Sequence, residues 1–361
     1  LRFPEFSGEW EKVLLSSACE INPKTGSLDN QFLYIDLESV VKGSLVKRQI
    51  IEKDGAPSRA QRVLKENDIL YQCVRPYQLN NYIFEGDTIQ CVASTGYAQL
   101  RTTQFPLYIF QALHTKQFTN QVLERCTGTN YPAINSSDLG TVEVPICSLP
   151  EQVKIGSLLA LIDSRIKTQS KIIEEQETLL KSLANKMFLQ NNFSSHLSEL
   201  VNIEKGKQLN ADTLSETGDY YVMNGGITPS GYYSEYNVPA GAISISEGGN
   251  SCGYVQFNEK PFWSGGHCYS LQCRTNLVDY KYIYYYLKTK EADVMALRIG
   301  SGLPNIQKKD IEKFTITYPS LQLQKQFVKA LDALSGKINT EKNLLEKYCQ
   351  QKKYLLSQMF I

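Results

Sequence analysis

Residues 148–188 read SLPEQVKIGSLLALIDSRIKTQSKIIEEQETLLKSLANKMF, and residues 320–360 read SLQLQKQFVKALDALSGKINTEKNLLEKYCQQKKYLLSQMF. Sliding the chain by 172 positions aligns 128–188 with 300–360 without a gap, and 15 of those 61 positions are identical. The identities include Gly128/Gly300, Pro132/Pro304, Ser148/Ser320, Gln152/Gln324, and the closing Met187/Met359 with Phe188/Phe360. An ungapped match of this length marks an internal duplication, and it has to be settled before any local reading. The segments ahead of each copy, 1–125 and 193–299, show no comparable match, so the order is variable, repeated, variable, repeated.

Each repeated segment reads as a long helix. Ser148 stands at the N-cap, Pro150 in the first turn where its missing N–H costs nothing, and Glu151 at N3 completes a capping box. The second copy keeps Ser320 alone of this box. Seam positions then alternate steps of four and three: Ile155, Leu159, Ile162, Ile166, Gln169, Ile173, Gln176, Leu180, Leu183 and Met187. The second copy repeats them at Phe327, Leu331, Leu334, Ile338, Glu341, Leu345, Tyr348, Lys352, Leu355 and Met359. That is a heptad seam over more than four repeats. With no Pro after the first turn, each helix should run about 40 residues, or about 60 Å. Within one molecule the chain path makes the pair antiparallel, with Ile155 opposite Met359, Ile162 opposite Lys352 and Ile173 opposite Glu341. Polar seam residues then meet apolar ones and serve as register devices. Long helices docked separately on their own domains are the plainer alternative.

The first variable segment carries β-type runs at 31–40, 68–74, 88–93, 107–113 and 139–144, bounded by turn residues. The second has strands such as 242–245 and 269–273 among Gly-rich loops: Asn224-Gly225-Gly226, Ser246-Glu247-Gly248-Gly249-Asn250 and Trp263-Ser264-Gly265-Gly266-His267. The expected class is α+β: two globular α/β domains separated by a long antiparallel two-helix coiled coil with a pseudo-twofold repeat. The expected segments are 1–147, 148–192, 193–319 and 320–361.

The 361 residues hold 38 Lys plus Arg against 37 Asp plus Glu, and 42% are apolar, enough for two cores. No run of about 18 apolar residues can span a bilayer, and the N-terminus lacks the basic-then-apolar order of a signal peptide. A cytoplasmic location is expected, and because the chain starts at Leu1 a few N-terminal residues are expected to be missing. Nine Cys with no C-x-x-C pair point to reduced thiols rather than disulfides or zinc. The near-neutral total argues against uniform phosphate binding, so a nucleic-acid surface must be local. Residues 42–75 supply it, with eight basic groups (Lys42, Lys47, Arg48, Lys53, Arg59, Arg62, Lys65, Arg75) against four acidic ones. There Ser58, Arg59, Arg62, Arg75, Tyr77, Gln78 and Asn81 combine the side-chain types that read guanine and adenine edges. In the second domain the loops nominate Thr228, Ser230, Tyr233, Asn250, Ser251 and His267. A solvated charged face and ordinary hairpin turns would look alike at this level.

Catalytic signatures are missing. The chain has no G-x-x-x-x-G-K-[ST], no G-x-G-x-x-G, no H-E-x-x-H and no Asn-Pro-Pro-Tyr, and its three His lie far apart. We therefore expect no catalytic residue, no metal and no cofactor, and any chemistry is expected to belong to a partner.

The whole chain resembles the specificity (S) subunit of type I restriction-modification systems. The resemblance is carried by 1–6 with Trp10, Pro57-Ser58-Arg59-Ala60, Asp68-Ile69-Leu70-Tyr71, Arg75-Pro76-Tyr77, Ala93-Ser94-Thr95-Gly96 and Leu149-Pro150-Glu151-Gln152. In the second half it is carried by Asn224-Gly225-Gly226-Ile227, Gly300-Ser301-Gly302 and Pro319-Ser320-Leu321. It implies a non-catalytic subunit with two target-recognition domains, each reading half of a split sequence in double-stranded DNA. It also implies that the two helices act as spacer and as docking surface for two modification (methyltransferase) subunits, with room for restriction subunits. The second helix start departs from the pattern, since Ser320-Leu321-Gln322-Leu323-Gln324 lacks the Pro-Glu. The alternative is a non-enzymatic coiled-coil scaffold whose globular domains bind proteins.

Overall fold

The structure, a computed structural model, describes residues 1–189, 192–300 and 302–360. Ser301 of the Gly300-Ser301-Gly302 stretch and Gln190 and Asn191 near the end of 148–192 lie outside the described residues. The chain divides into two compact units, Leu1–Ser170 with Asn343–Ile361, and Lys171–Lys342. The divide falls inside both long helices, which span Leu149–Met187 and Leu321–Met359. Each unit therefore contains the first half of one long helix and the last half of the other.

Burial along the expected seam is graded. In the first helix Ile155, Leu159, Ile162, Gln169 and Ile173 are buried, while Ile166, Gln176, Leu180, Leu183 and Met187 are half-buried; no seam position is exposed. The second helix repeats this, with Phe327, Leu331, Ile338 and Met359 buried and Leu334, Leu345 and Leu355 half-buried. In the first unit Ile155 and Leu159 share a core with Leu355, Met359 and Phe360, and Asp163 pairs with Lys352 at 2.5 Å. One number rises as the other falls, so these halves run antiparallel. The second unit shows the same sense: Leu183 and Phe188 share a core with Leu323 and Phe327, and Glu177 pairs with Lys342 at 2.7 Å. Lys352 is thus not left facing an aliphatic residue, as the seam alone suggested. The neighbouring Asp163 neutralises it, and the Gln111 side-chain amide donates to the same carboxylate at 2.7 Å.

Two sheets build the first unit's globular part. One has the order Cys19–Ile21, Tyr97–Thr102, Ile69–Gln72, Tyr82–Ile83, all antiparallel; the other has the order Gln49–Glu52, Gln31–Ile35, Cys91–Ser94, Ala60–Val63, with its middle two strands parallel. Expected runs 31–40, 68–74 and 88–93 all contain strands, though shorter ones. Run 107–113 is a correction: Pro106–Ala112 is a helix, started by a Pro at N1 and buried on nearly every face. An apolar run without period 2 or 3.6 fits a strand and a buried helix equally, and Pro106 decides for the helix. Run 139–144 likewise straddles the helix Ser136–Gly140 and the strand Glu143–Ile146.

In the second unit the order is Val201–Lys205, Cys268–Cys273, Ala242–Ser246, Val255–Asn258, beside a sheet Gly231–Tyr233, Tyr220–Met223, Trp263–Ser264 whose last pair is parallel. The order and sense of these two sheets match those of the first unit, except that among the described residues the edge strand Ala60–Val63 and the small hairpin Val40–Val41 with Ser44–Leu45 have no counterpart. The segments 1–125 and 193–299, unrelated as sequences, therefore share one topology. Equivalent bonds tie each to its helix start. Gln152 donates to Cys147 O at 2.8 Å and accepts from Phe105 N at 3.1 Å; Gln324 donates to Pro319 O at 2.8 Å and accepts from Asp279 N at 2.7 Å. Tyr108 OH donates to Pro145 O at 2.7 Å, and Tyr282 OH to Thr317 O at 3.0 Å. The helix ends dock alike as well, Phe360 against Tyr108 and Phe188 against Tyr282, with ring centroids 5.2 and 5.3 Å apart.

Candidate nucleic-acid interface

The first unit's candidate surface is stitched together by main-chain bonds. Where strand Ile69–Gln72 ends, Cys73 N donates to Gly96 O (3.0 Å), Ile134 N to Cys73 O (3.0 Å) and Arg75 N to Pro132 O (2.7 Å), while Thr95 N donates to Arg59 O (2.9 Å). These bonds gather Arg59, the 95–96 turn, the 73–75 corner and the 131–134 segment at one edge. Arg75 and Leu79, both at φ 53°, bracket the single turn Pro76–Gln78 in the left-handed region, which costs a non-glycine residue about 1 kcal/mol or more each.

Side chains from beneath hold that shape. The Gln72 amide accepts from Asn80 N (3.1 Å) and donates to Gln78 Oε1 (2.9 Å), and Asn81 Oδ1 accepts from Gln72 N (2.9 Å). Asn81 Nδ2 lies 3.4 Å from His114 Nε2, whose Nδ1 is 2.6 Å from Phe110 O. Burial pulls the His114 imidazole down to about 4; the Lys352 ammonium adds to this and the Asp163 carboxylate opposes it. His114 is therefore neutral near pH 7, and with Nδ1–H on the Phe110 carbonyl its Nε2 accepts from Asn81.

Asn81 is the correction this geometry forces. It was nominated as a base contact, but it is 1% exposed and spent on Gln72 and His114, so it shapes the loop instead of touching a ligand. The other nominees reach solvent. Ser58, Arg59, Tyr77 and Gln78 are exposed, and Arg62 and Arg75 are half-buried. Arg62 and Arg75 each keep a buried Nε without a hydrogen-bond partner, and desolvation lowers the Arg62 pKa. Neither these two nor Arg59 joins an ion pair among the described residues, whereas Lys47 and Arg48 face Asp36 (3.8 Å) and Asp87 (2.5 Å). Of the eight cations in 42–75, six join no ion pair among the described residues, Lys42, Lys53 and Lys65 besides the three arginines Arg59, Arg62 and Arg75. Sequence reading missed Tyr131, whose ring lies 4.4 Å under the Arg75 guanidinium.

The second unit repeats this corner with different side chains. Ile306 N donates to Glu247 O (2.9 Å) and Gly249 N to Pro304 O (3.0 Å), so Glu247 and Gly249 take the places of Cys73 and Arg75. Gly249 is left-handed at φ 78°, like Arg75. The Gly-rich loops converge here: Ser246 Oγ donates to Gly225 O (2.6 Å), His267 N to Asn224 Oδ1 (3.1 Å) and Glu247 N to His267 O (2.9 Å). Asn250, Ser251 and His267 therefore lie together, with Asn250 and His267 exposed and Ser251 half-buried. Thr228 and Ser230 are exposed on the neighbouring turn, and half-buried Tyr233 packs edge-on to Trp263 at 5.1 Å. Glu247, missed by the sequence reading, accepts from Lys205 Nζ (2.7 Å) and Tyr269 OH (3.1 Å). The identity Pro132/Pro304 was the available signal for both corners, because it marks the carbonyl on which each loop hangs.

Burial pushes the Cys73 thiol up to about 11, so it carries no thiolate beside the loop. Among the described residues no cluster of His, Cys, Asp and Glu could hold a metal ion, and no helix is long and apolar enough to cross a membrane.

A family model described as the type I restriction modification DNA specificity domain matches residues 7–178 and 192–347. A Mycoplasma genitalium protein named as a candidate type I specificity subunit is 27% identical over 270 residues, 70% of each chain. A Mycoplasma pneumoniae protein named likewise is 34% identical over 152 residues, 42% of this chain and 40% of that one. A crystal structure described as the type I restriction-modification S subunit from M. genitalium superposes with TM-score 0.72 at 21% identity, covering 98% of this chain and 96% of that one. That last likeness is one of fold.

Proposed function

This chain belongs to the type I restriction modification DNA specificity domain family, and from that premise we propose that it is the DNA-specificity subunit of a type I restriction-modification complex. Recognition domains 1–147 and 193–319 each read one half of a bipartite site in duplex DNA. Helical segments 148–192 and 320–361 set the number of unread base pairs between the halves and dock two modification subunits, with restriction subunits joining the complex. The chain itself supplies no catalytic group, and it works in the cytoplasm. Ser58, Arg59, Arg62, Arg75, Tyr77 and Gln78 face one half-site, and Thr228, Ser230, Tyr233, Asn250, Ser251 and His267 the other, with Asn81 acting from beneath.

One observation carries the reading: the same main-chain corner, latched to Pro132 O in one unit and Pro304 O in the other, presents two different side-chain sets. A frame that is held fixed while its solvent-facing residues diverge suits two readers of different sequences. Both globular segments carry net charge −2 (14 basic against 16 acidic in 1–147, 11 against 13 in 193–319), so the chain alone should bind random DNA weakly. Tight binding then needs basic partner subunits.

Methylated-base mapping in a host carrying the complete system tests the reading. It should return two short half-sites split by a fixed gap. Adding about four residues to each long helix, roughly one turn, should lengthen the gap and leave both halves unchanged. A single unbroken motif, or a changed half-site in the lengthened variant, contradicts it. A protein-binding scaffold would show no salt-dependent affinity for duplex DNA in anisotropy titrations.

A further inference from the structure

Arg75 differs from the other cations of the first unit in how much of its conformation is imposed. Its φ of 53° is left-handed, its N–H is tied to Pro132 O at 2.7 Å, and its guanidinium lies 4.4 Å from the Tyr131 ring centre. Tyr131 comes from the segment that supplies the Pro132 carbonyl, and it is 65% exposed, so the ring does not serve the core. Instead it lies under the guanidinium. Despite this investment Arg75 has no carboxylate partner among the described residues, and its buried Nε donates to nothing. A planar fork held over a ring, with its donors unspent, is preorganised for a planar acceptor pair at its edge. In the major groove that pair is O6 and N7 of guanine.

We propose that Arg75 reads one guanine in the half-site met by the first unit and that Tyr131 is the positioning residue that sets its guanidinium plane. This rests on the DNA-reading function above and adds the identity of a base. A phosphate contact is the other use of an arginine, but it carries no base identity, so replacing single guanines separates the two. The second unit has Gly249 and Leu303 at the equivalent places, so this means of reading guanine belongs to one half-site.

The test uses the chain assembled with its modification subunits and a duplex bearing the mapped motif. Each guanine of the first unit's half-site is replaced in turn by 7-deazaguanine, which lacks the N7 acceptor, and affinity is read by fluorescence anisotropy. The wild-type complex should lose on the order of tenfold at one guanine. Arg75→Ala should be weakened and indifferent to that replacement. Tyr131→Ala should lose most of the same discrimination, while Tyr131→Phe, which keeps the ring, should retain it. The proposal is overturned if Arg75→Ala still senses that guanine, if it weakens cognate and random duplexes alike, or if Tyr131→Ala discriminates as the wild type does. A wild-type complex with no preference for the mapped motif over random duplex would instead contradict the DNA-reading function itself.

Discussion

The corner at Arg75 and the corner at Gly249 share their main-chain bonds and almost nothing else. In both, a residue in the left-handed region donates its N–H to a proline carbonyl two residues before the next shared amide contact, Ile134 N or Ile306 N. In the first unit the loop beyond runs through Pro76–Gln78 and is braced by Gln72, Asn81 and His114; in the second it turns back within 249–254, and Cys252 N donates to Gly249 O at 3.1 Å. The difference shows that amides and carbonyls fix the frame, leaving side chains free to diverge. It also explains why the two variable segments gave no sequence match.

The largest effects should fall on the shared frame and be equal in the two units. Leu159 and Leu331 occupy the same repeat position and are both 0% exposed. Leu→Ala at either should cost about 2–5 kcal/mol, read as a drop in denaturant midpoint and localised by hydrogen exchange to the unit carrying the change. Markedly unequal costs would break the equivalence. Next come the buried latches: Gln152→Ala or Gln324→Ala strands one amide and one carbonyl at each helix start, for about 2–3 kcal/mol.

The remaining effects should separate the units. His114 titrates near 4 when folded and near its ordinary value of about 6.5 when unfolded, so between these limits the unfolded chain binds more protons. Folding stability contributed by this group is therefore present above about pH 6.5 and is lost as pH falls toward 4. Protection factors of amides in 73–81, that is exchange rates corrected for their intrinsic pH dependence, should fall as pH is lowered across that window, and His114→Gln should remove the dependence. Position 288, which corresponds to His114, carries Lys, so the second unit has no matching step. Gly249→Arg with Leu303→Tyr places the Arg–Tyr pair in the second unit. A side chain meets nothing within 4 Å at Gly249, and binding assays against a panel of second half-site duplexes should show a new guanine preference. Smallest of all, Arg59→Ala should change stability by less than about 0.5 kcal/mol while weakening cognate binding, and thermal melts paired with anisotropy would check both.

The parts legible in the sequence were those with a period. A heptad seam states helix, length and partner face at once, so both long helices followed from spacing and their antiparallel sense from the chain path. The helix Pro106–Ala112 was misread because a segment buried on every side has no polar face to set a period. The common topology of the globular parts was hidden because the bonds that define it, such as Arg75 N to Pro132 O, constrain no side chain. Asn81 was misplaced for a related reason: an Asn suits a base edge and a buried bracket equally, and only its neighbours decide. Tyr131 went unnoticed because nothing in sequence links it to an arginine 56 positions earlier.

The most direct measurement is methylated-base mapping with two loop variants, one altering 75–78 and the other 249–251, each in the complete system. If one frame serves two readers, each variant changes bases in one half-site, the two variants affect opposite halves, and the gap between halves stays constant. Both variants altering the same half, or neither altering any base, would contradict it.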